Sequence, residues 1–369
     1  MRSPGSCATR CRTSTREKAA LTARMYPIKT GDTAMKHRTR LGMAARWLGW
    51  AIVGVSTCIA LQAYAATTWR AYTYNAAATV TAVKGLNALF DQIRNSTGNE
   101  LAIRLNLGGT LAISATNITE AVAGNVVQMG DDAFFVGSVP VGGTVRLPLL
   151  IKDRPAFDRA WAAEEPFLKA AYEKKGIVLL GHYTFPLNVI WSRKKLTTLS
   201  DIAGQKIRVI SPEQAEFIKR LGGIPVTLGT SEVAAALDRG VIDGVTTASS
   251  GYGYIWRDML KYRYNLNVSF IDSLILANRQ AWLALTAQQQ AAVQRDIDAA
   301  TTHISDAMAV EEDSLTSQLA AKGIVVTTPS AAEVAQATQL ISPYWDTWAK
   351  ARGDSAEQAL TKVRAAIGR

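Results

Sequence analysis

Leu199-Ser-Asp-Ile-Ala-Gly-Gln-Lys-Ile-Arg-Val209 reads as a polar turn leading into a strand over Lys206–Ile210. A helix over Glu213–Leu221 follows and stops at Gly222-Gly223, just before Ile224-Pro225-Val226. Ser231 can cap a second helix over Glu232–Arg239, which Gly240 ends. Val241-Ile242-Asp243-Gly244 then reads as a short apolar strand followed by a turn. Short apolar runs alternating with helical periodicity are the rhythm of an α/β layer with largely parallel strands.

The same rhythm runs upstream. Val80, Val83, Leu86, Leu89, Phe90 and Ile93 fall on one helical face, and Leu101, Ile103, Leu105 and Leu107 alternate as in a strand. A helix through Asn117–Ala123 should end at Gly124, with Val126-Val127-Gln128-Met129 as a strand after it. Asn188–Ser192 reads as a further strand. Downstream, Thr286–Lys322 holds no Pro or Gly, and Val293, Ile297, Ala300, Ile304 and Met308 recur at helical spacing. A single helix of that length would measure roughly 55 Å at about 1.5 Å per residue. One lobe of about 150 residues, with a radius of gyration near 15 Å, is too small to cover it. Such a helix must brace two lobes, unless the chain breaks near Thr301-Thr302.

The formal charge of +11 suggests a nucleic-acid partner until it is located. Residues 1–65 carry 11 Lys/Arg against 2 Asp/Glu, leaving 30 and 28 for the rest, so the remainder holds only +2 and nucleic-acid binding loses its support. The basic leader reads as a secretory signal. Lys36, Arg38, Arg40 and Arg46 precede an apolar run over Leu48–Leu61, and Ala63-Tyr64-Ala65 offers small residues for cleavage. Residues 35–65 are therefore the expected signal peptide, with 1–34 an upstream extension and Met1, Met25 and Met35 as possible starts. An uncleaved N-terminal anchor is the alternative. Cys7, Cys11 and Cys58 all precede the expected cut, so the mature chain would have no cysteine and must be held by its core. No later stretch reaches about 18 uninterrupted apolar residues, and the mature part is read as soluble.

Catalytic signatures are missing. There is no Gly-x-Ser-x-Gly elbow, no phosphate-cradling loop and no dinucleotide fingerprint. His182 and His303 stand far apart without ligand-like companions, so no metal and no cofactor is expected. Asp131-Asp132, directly after the expected strand, reads as a solvated or capping pair. Ser249-Ser250-Gly251 reads as a turn.

The three pieces in order, Gly204-Gln-Lys-Ile-Arg208, Leu221-Gly-Gly-Ile-Pro-Val226 and Glu232-Val through Gly240-Val-Ile-Asp-Gly244, resemble the solute-binding subunits of TRAP (tripartite ATP-independent periplasmic) transporters. The resemblance is densest over 195–245 and extends more loosely across 67–366. It implies a two-lobed, periplasmic-binding-protein-like α/β fold with crossing hinge strands and a long lobe-spanning helix. Lobe 1 is expected to comprise 66–187 and 274–313, and lobe 2 188–273 and 314–369. The implied function is capture of a small organic carboxylate in the interlobe cleft and its delivery to the TRAP membrane subunits in the periplasm, without catalysis. An exported binding module for a sensor or an ATP-driven importer is the alternative.

By the same resemblance Arg208 aligns with the arginine that pairs with the ligand carboxylate. The guanidinium offers a planar fork of donors to a carboxylate. Strand alternation sends Ile207 and Val209 to one face and Arg208 to the other. An internal pair with Asp243 is the competing use of this arginine. The sequence departs from the family where Thr247 stands at the position of a ligand-binding asparagine. It departs again at Leu187-Asn188, where sialic-acid binders carry another arginine. Tyr252 and Trp256 follow Thr247, Phe134 follows a first-lobe strand, and Tyr74, Asn75 and Asp132 lie at first-lobe strand ends. One arginine among aromatic groups favours a monocarboxylate with an apolar or aromatic body.

Overall fold

A computed structural model of the protein describes residues 66–369. The signal-peptide and start-site readings, with Cys7, Cys11 and Cys58, lie outside the described residues. Strands β1 (Thr67–Thr73), β2 (Leu101–Asn106) and β3 (Met129–Asp132) alternate with helices α1 (Thr81–Ser96) and α2 (Ile118–Ala123). Helix α3 (Arg154–Lys174) leads into a long strand, β4 (Ile177–Ser192). Strand β5 (Lys206–Val209), helix α4 (Pro212–Arg220), β6 (Ile224–Thr227), α5 (Val233–Asp238) and β7 (Gly244–Thr247) form the second α/β run. A second long strand, β8 (Tyr262–Asn278), precedes α6 (Arg279–Leu283), α7 (Ala287–Gln318), β9 (Val325–Thr327), α8 (Ala331–Arg352) and α9 (Asp354–Ile367).

The strands make one sheet in the order β2-β1-β3-β8-β4-β7-β5-β6, with β9 on β8. It has two wings. In one, β1 lies parallel to β2 and β3; in the other, β5 lies parallel to β6 and β7. The antiparallel pair β4–β8 belongs to both. Their 16 and 17 residues reach more than 50 Å at about 3.3 Å each. The β4–β8 register shifts three times, between Leu179 and Gly181, between Phe185 and Asn188 and between Asn188 and Ile190. Bulges bend and twist a strand, and the last two fall where the pair passes between the wings. These are the crossing strands of the two-lobed α/β fold.

Helix α7 is one unbroken helix of 32 residues, about 48 Å long. Thr301 and Thr302 do not interrupt it; their hydroxyls donate back to the carbonyls of Ile297 (2.9 Å) and Asp298 (3.0 Å). Thr286 opens the helix with a capping box to Gln289. The part up to Ile304 and Ser305 packs on α1 and β4, so closely at Gly85 that a Cβ there would lie 2.3 Å from Ile304. Toward the other end, Glu312 accepts from Ser250 N (2.8 Å) and pairs with Arg263 (2.9 Å). The helix therefore braces both wings. The C-terminal pair also bridges distant elements: α9 packs on α3, while Trp348 Nε1 of α8 donates to the buried Glu213 of α4 (2.6 Å).

Five local expectations need correction. The strand expected at Val126–Met129 begins only at Met129, because Asn125 turns in the left-handed region and Val126 N bonds back to Ala121 O. Asp131 and Asp132 consequently lie inside β3 and are buried, not solvated after it. The strand expected at Val241–Asp243 begins at Gly244 instead, since Val241 and Ile242 bond back to Ala236 O. Gly244 is needed there: a Cβ would lie 2.1 Å from Trp191 O. Ser231 does not cap α5; a short 3-10 turn, Thr230–Glu232, intervenes, and Glu232 Oε2 accepts from Gly229 N (2.8 Å). Ser249-Ser250-Gly251 is part of a π-helical turn, Ser249–Gly253.

Glu333 ties α8 to the second wing. Its carboxylate accepts from Ser330 N (2.9 Å), Leu199 N (2.9 Å) and Tyr264 OH (2.8 Å). These donors, the Ser330 amide foremost, pull its pKa from the usual 4.5 to about 2. A lowered carboxylate pKa contributes stability above the unfolded value and loses it as pH falls through the folded one. Glu333→Gln keeps the capping geometry and removes the charge, so it should be less stable than the parent at pH 7. Urea denaturation should show the gap closing as pH falls from 4.5 toward 2. A gap independent of pH would contradict this role.

Candidate ligand-binding site

Strand alternation in β5 buries Ile207 and Val209 on one side and turns Arg208 to the other, where it is only 4% exposed. Its Nε donates to Leu228 O (3.0 Å) and its Nη2 reaches Thr230 Oγ1 (3.5 Å). The guanidinium carbon lies 5.6 Å from the Phe134 ring centre and 6.0 Å from that of Trp256. No carboxylate among the described residues forms an ion pair with it. Asp243, the competing partner, is held instead by Lys194 Nζ (2.9 Å) and Lys206 N (2.9 Å). Burial pulls the Arg208 pKa down to about 10, which leaves the group charged at neutral pH.

Arg208 lines a cavity with Tyr74, Phe134, Phe185, Asn188, Ile210, Thr230, Thr246, Thr247, Gly251, Tyr252 and Ile271. Both wings and both crossing strands contribute. About 30 Å³ is open to the centres of water-sized molecules, room for roughly two waters. Asn188 sits between two register shifts of β4, which aim it into the cavity. Thr246 Oγ1 donates to Gln214 Oε1 (2.8 Å) with Arg208 O also within reach (3.2 Å), and Gln214 also accepts from Ile210 N (3.2 Å). This buried buttress holds β5 and β7 in register behind the cavity.

Of the residues singled out in the sequence, Arg208, Thr247, Asn188, Tyr74, Phe134 and Tyr252 come together on the cavity wall. Asn75, Asp132 and Trp256 do not line it. Asn75 Nδ2 lies behind Tyr74, donating to Thr73 Oγ1 (2.9 Å) and Asp131 Oδ2 (3.1 Å). Asp132 accepts from Thr119 N (3.0 Å), Thr119 Oγ1 (2.8 Å) and Phe134 N (2.7 Å), fixing the turn that presents Phe134. Its burial raises its pKa to about 6. Trp256 stacks on Tyr252 with ring centres 4.9 Å apart. Asp131 accepts from Thr73, Tyr183, Asn75 and Ser273, and burial raises its pKa.

Sequence reasoning missed Phe185, Ile210, Thr230, Thr246, Gly251 and Ile271. Thr246 was next to the chosen Thr247, but Phe185 and Ile271 reach the cavity only through the bends of β4 and β8. No metal-binding group of His, Cys, Asp and Glu occurs among the described residues. His182 lies against Trp161 with ring centres 3.7 Å apart, and burial, aided by Arg154, lowers its pKa to about 3. His303 is exposed on α7. No helix among the described residues is long and apolar enough to cross a membrane.

Comparison with known proteins bears on this geometry. A family model for bacterial extracellular solute-binding protein, family 7, matches residues 72–351. The chain is 26% identical over 170 residues to the C4-dicarboxylate-binding periplasmic protein DctP of Rhodobacter capsulatus, covering 45% of this chain and 51% of the relative. It thus spans about half the length of that relative. DctP6 of Bordetella pertussis, an extracytoplasmic solute receptor binding pyroglutamic acid, is similar at a TM-score of 0.76 and 26% identity, over 81% of this chain and 100% of that one. A TRAP periplasmic solute-binding protein of Shewanella oneidensis with bound succinate has the same fold, with a TM-score of 0.74 at 20% identity over 81% and 100%. The family match runs over well more than half of the sequence, and the chain belongs to family 7 of the bacterial extracellular solute-binding proteins.

Proposed function

We propose that this protein is the periplasmic receptor of a TRAP transporter and captures a small monocarboxylate with a compact, largely apolar body. The carrying observation is Arg208: a buried, charged guanidinium on a cavity wall, with no acid partner among the described residues. An uncompensated buried cation is costly, and an anionic ligand supplies what the protein leaves out. Tyr74, Phe134, Phe185, Tyr252, Ile210 and Ile271 offer an apolar surround, while Asn188, Thr230 and Thr247 offer a few polar contacts. A single cation suits one carboxylate better than two. The pyroglutamic acid bound by DctP6 of Bordetella pertussis is a compact acid with one carboxylate.

The small cavity requires the wings to part for entry, and the shared strands and α7 supply a common axis for bending. We assign 66–187 with 274–313 to one lobe and 188–273 with 314–369 to the other. Delivery to TRAP membrane subunits, without turnover of the ligand, completes the reading.

A thermal-shift panel on the purified mature protein tests it. Pyroglutamate and other compact monocarboxylates should raise the melting temperature by several degrees; ligand at 100 times Kd adds about 2.7 kcal/mol. Succinate and sugar acids should do less. Stabilisation by dicarboxylates alone would overturn the monocarboxylate assignment.

A further inference from the structure

Tyr252 belongs to the π-helical turn after β7, in the β7-β5-β6 wing, and its ring forms part of the cavity wall. Its hydroxyl, however, accepts from Ala76 N (2.9 Å) and Ala77 N (3.3 Å). Those amides lie in the loop after β1, in the opposite wing. Neither donates to any other acceptor among the described residues. One side chain thus walls the cavity and bonds the far wing.

The wings also meet beside this contact. Gly109, at φ +86°, lies so near Ser231 that a Cβ on it would be 3.2 Å from Ser231 Cβ. A Cβ on Gly229 would be 3.4 Å from that of Ala115. Small residues let the two edges sit flush, and the Tyr252 hydroxyl supplies the directional bonds.

We propose that Tyr252 is a closure latch: its hydroxyl clasps the Ala76 and Ala77 amides when the wings meet and so sets the residence time of the ligand. This rests on the proposed capture of ligand by closure. When the wings part, the hydroxyl and both amides return to water at little cost. When they close without the hydroxyl, two half-buried N–H groups lose their acceptor, and an unmet buried donor is penalised. The effect therefore falls on the closed state and on dissociation. Tyr252 is in this sense a positioning residue, and Arg208 the anchor.

Tyr252→Phe keeps the ring, the stack on Trp256 and the cavity wall, and removes only the hydroxyl. Stopped-flow measurements with a monocarboxylate from the panel should give dissociation roughly tenfold faster, association within about twofold of the parent, and the same ligand order. The wings also meet transiently without ligand on this account, so hydrogen exchange in the ligand-free protein should speed up at Ala76 and Ala77 in the variant. That arm reads the latch even if no carboxylate in the panel binds, a result that would defeat the functional proposal alone. Equal dissociation rates overturn the latch. So does equal exchange at both amides, or a loss of affinity that varies with the ligand and marks direct contact.

Discussion

Arg208→Ala should lose most ligand affinity, roughly 30-fold to several-thousand-fold, while the protein remains folded. The range follows from the roughly 2–5 kcal/mol cost of truncating one partner of a buried, hydrogen-bonded charge pair. The folded state should tolerate the change because the described residues hold no acid paired with Arg208, so its removal strands no opposite charge. Its side-chain hydrogen bonds are to Leu228 O and Thr230 Oγ1. Arg208→Lys should also bind poorly, since an ammonium keeps the charge but not the planar fork. Calorimetric titration of the parent and both variants with one panel ligand checks this. A well-folded Arg208→Ala protein with near-native affinity would falsify the anchor assignment.

The opposite outcome is expected at Arg146, where the arginine serves the fold. It is fully buried, donates from Nε to Asp272 Oδ1 (2.7 Å) and from Nη1 to Ala133 O (2.7 Å), and lies 4.2 Å from the Phe135 ring centre. Asp272 is itself fully buried and pairs with Thr184 across the crossing strands, beside the bulges. Arg146→Ala strands that carboxylate, and the loss should be about 3–5 kcal/mol. Urea midpoints at pH 7 measure it. Arg146→Met combined with Asp272→Leu should recover much of the deficit, because an apolar pair of similar volume often replaces a buried ion pair at no net cost. An Arg146→Ala protein within about 1 kcal/mol of the parent would mean the site relaxes or admits water.

The two arginines mark what the sequence could and could not disclose. Both look alike in one dimension: each is a cation in an apolar neighbourhood. Arg208 was legible because the three ordered pieces resemble TRAP solute-binding subunits and align it with their ligand-pairing arginine, and strand alternation between Ile207 and Val209 gave its face. Arg146 lies in an irregular segment whose partner is 126 residues away, and no local pattern reports such a pair. The α/β rhythm and the long helix were legible because each rests on spacing within one segment, whereas Tyr74, Phe134 and Tyr252 were named from strand ends and from the family position of Thr247. Strand starts at Met129 and Gly244 were not, since backbone bonds to the preceding helices consume the residues that alternation assigned to strands. Asn75 and Asp132 were right in neighbourhood but not in depth. Residues at a strand end can face the cavity or stand behind it, and only the register of the neighbouring strands decides which.

The sharing of β4, β8 and α7 between the wings also governs when this chain can fold. β3 finds its partner in β8, where Met129 pairs with Ala277, about 150 residues later. The first wing therefore cannot complete its sheet until most of the polypeptide has been made. Pairings so distant must first meet the entropy of closing a long loop, so folding is slow and begins late. In a family of extracellular proteins such a delay is useful, because a polypeptide whose sheet cannot close until nearly all of it is available stays open to transport before it folds. The sharing of strands that joins the two wings thus also postpones the completion of their common sheet.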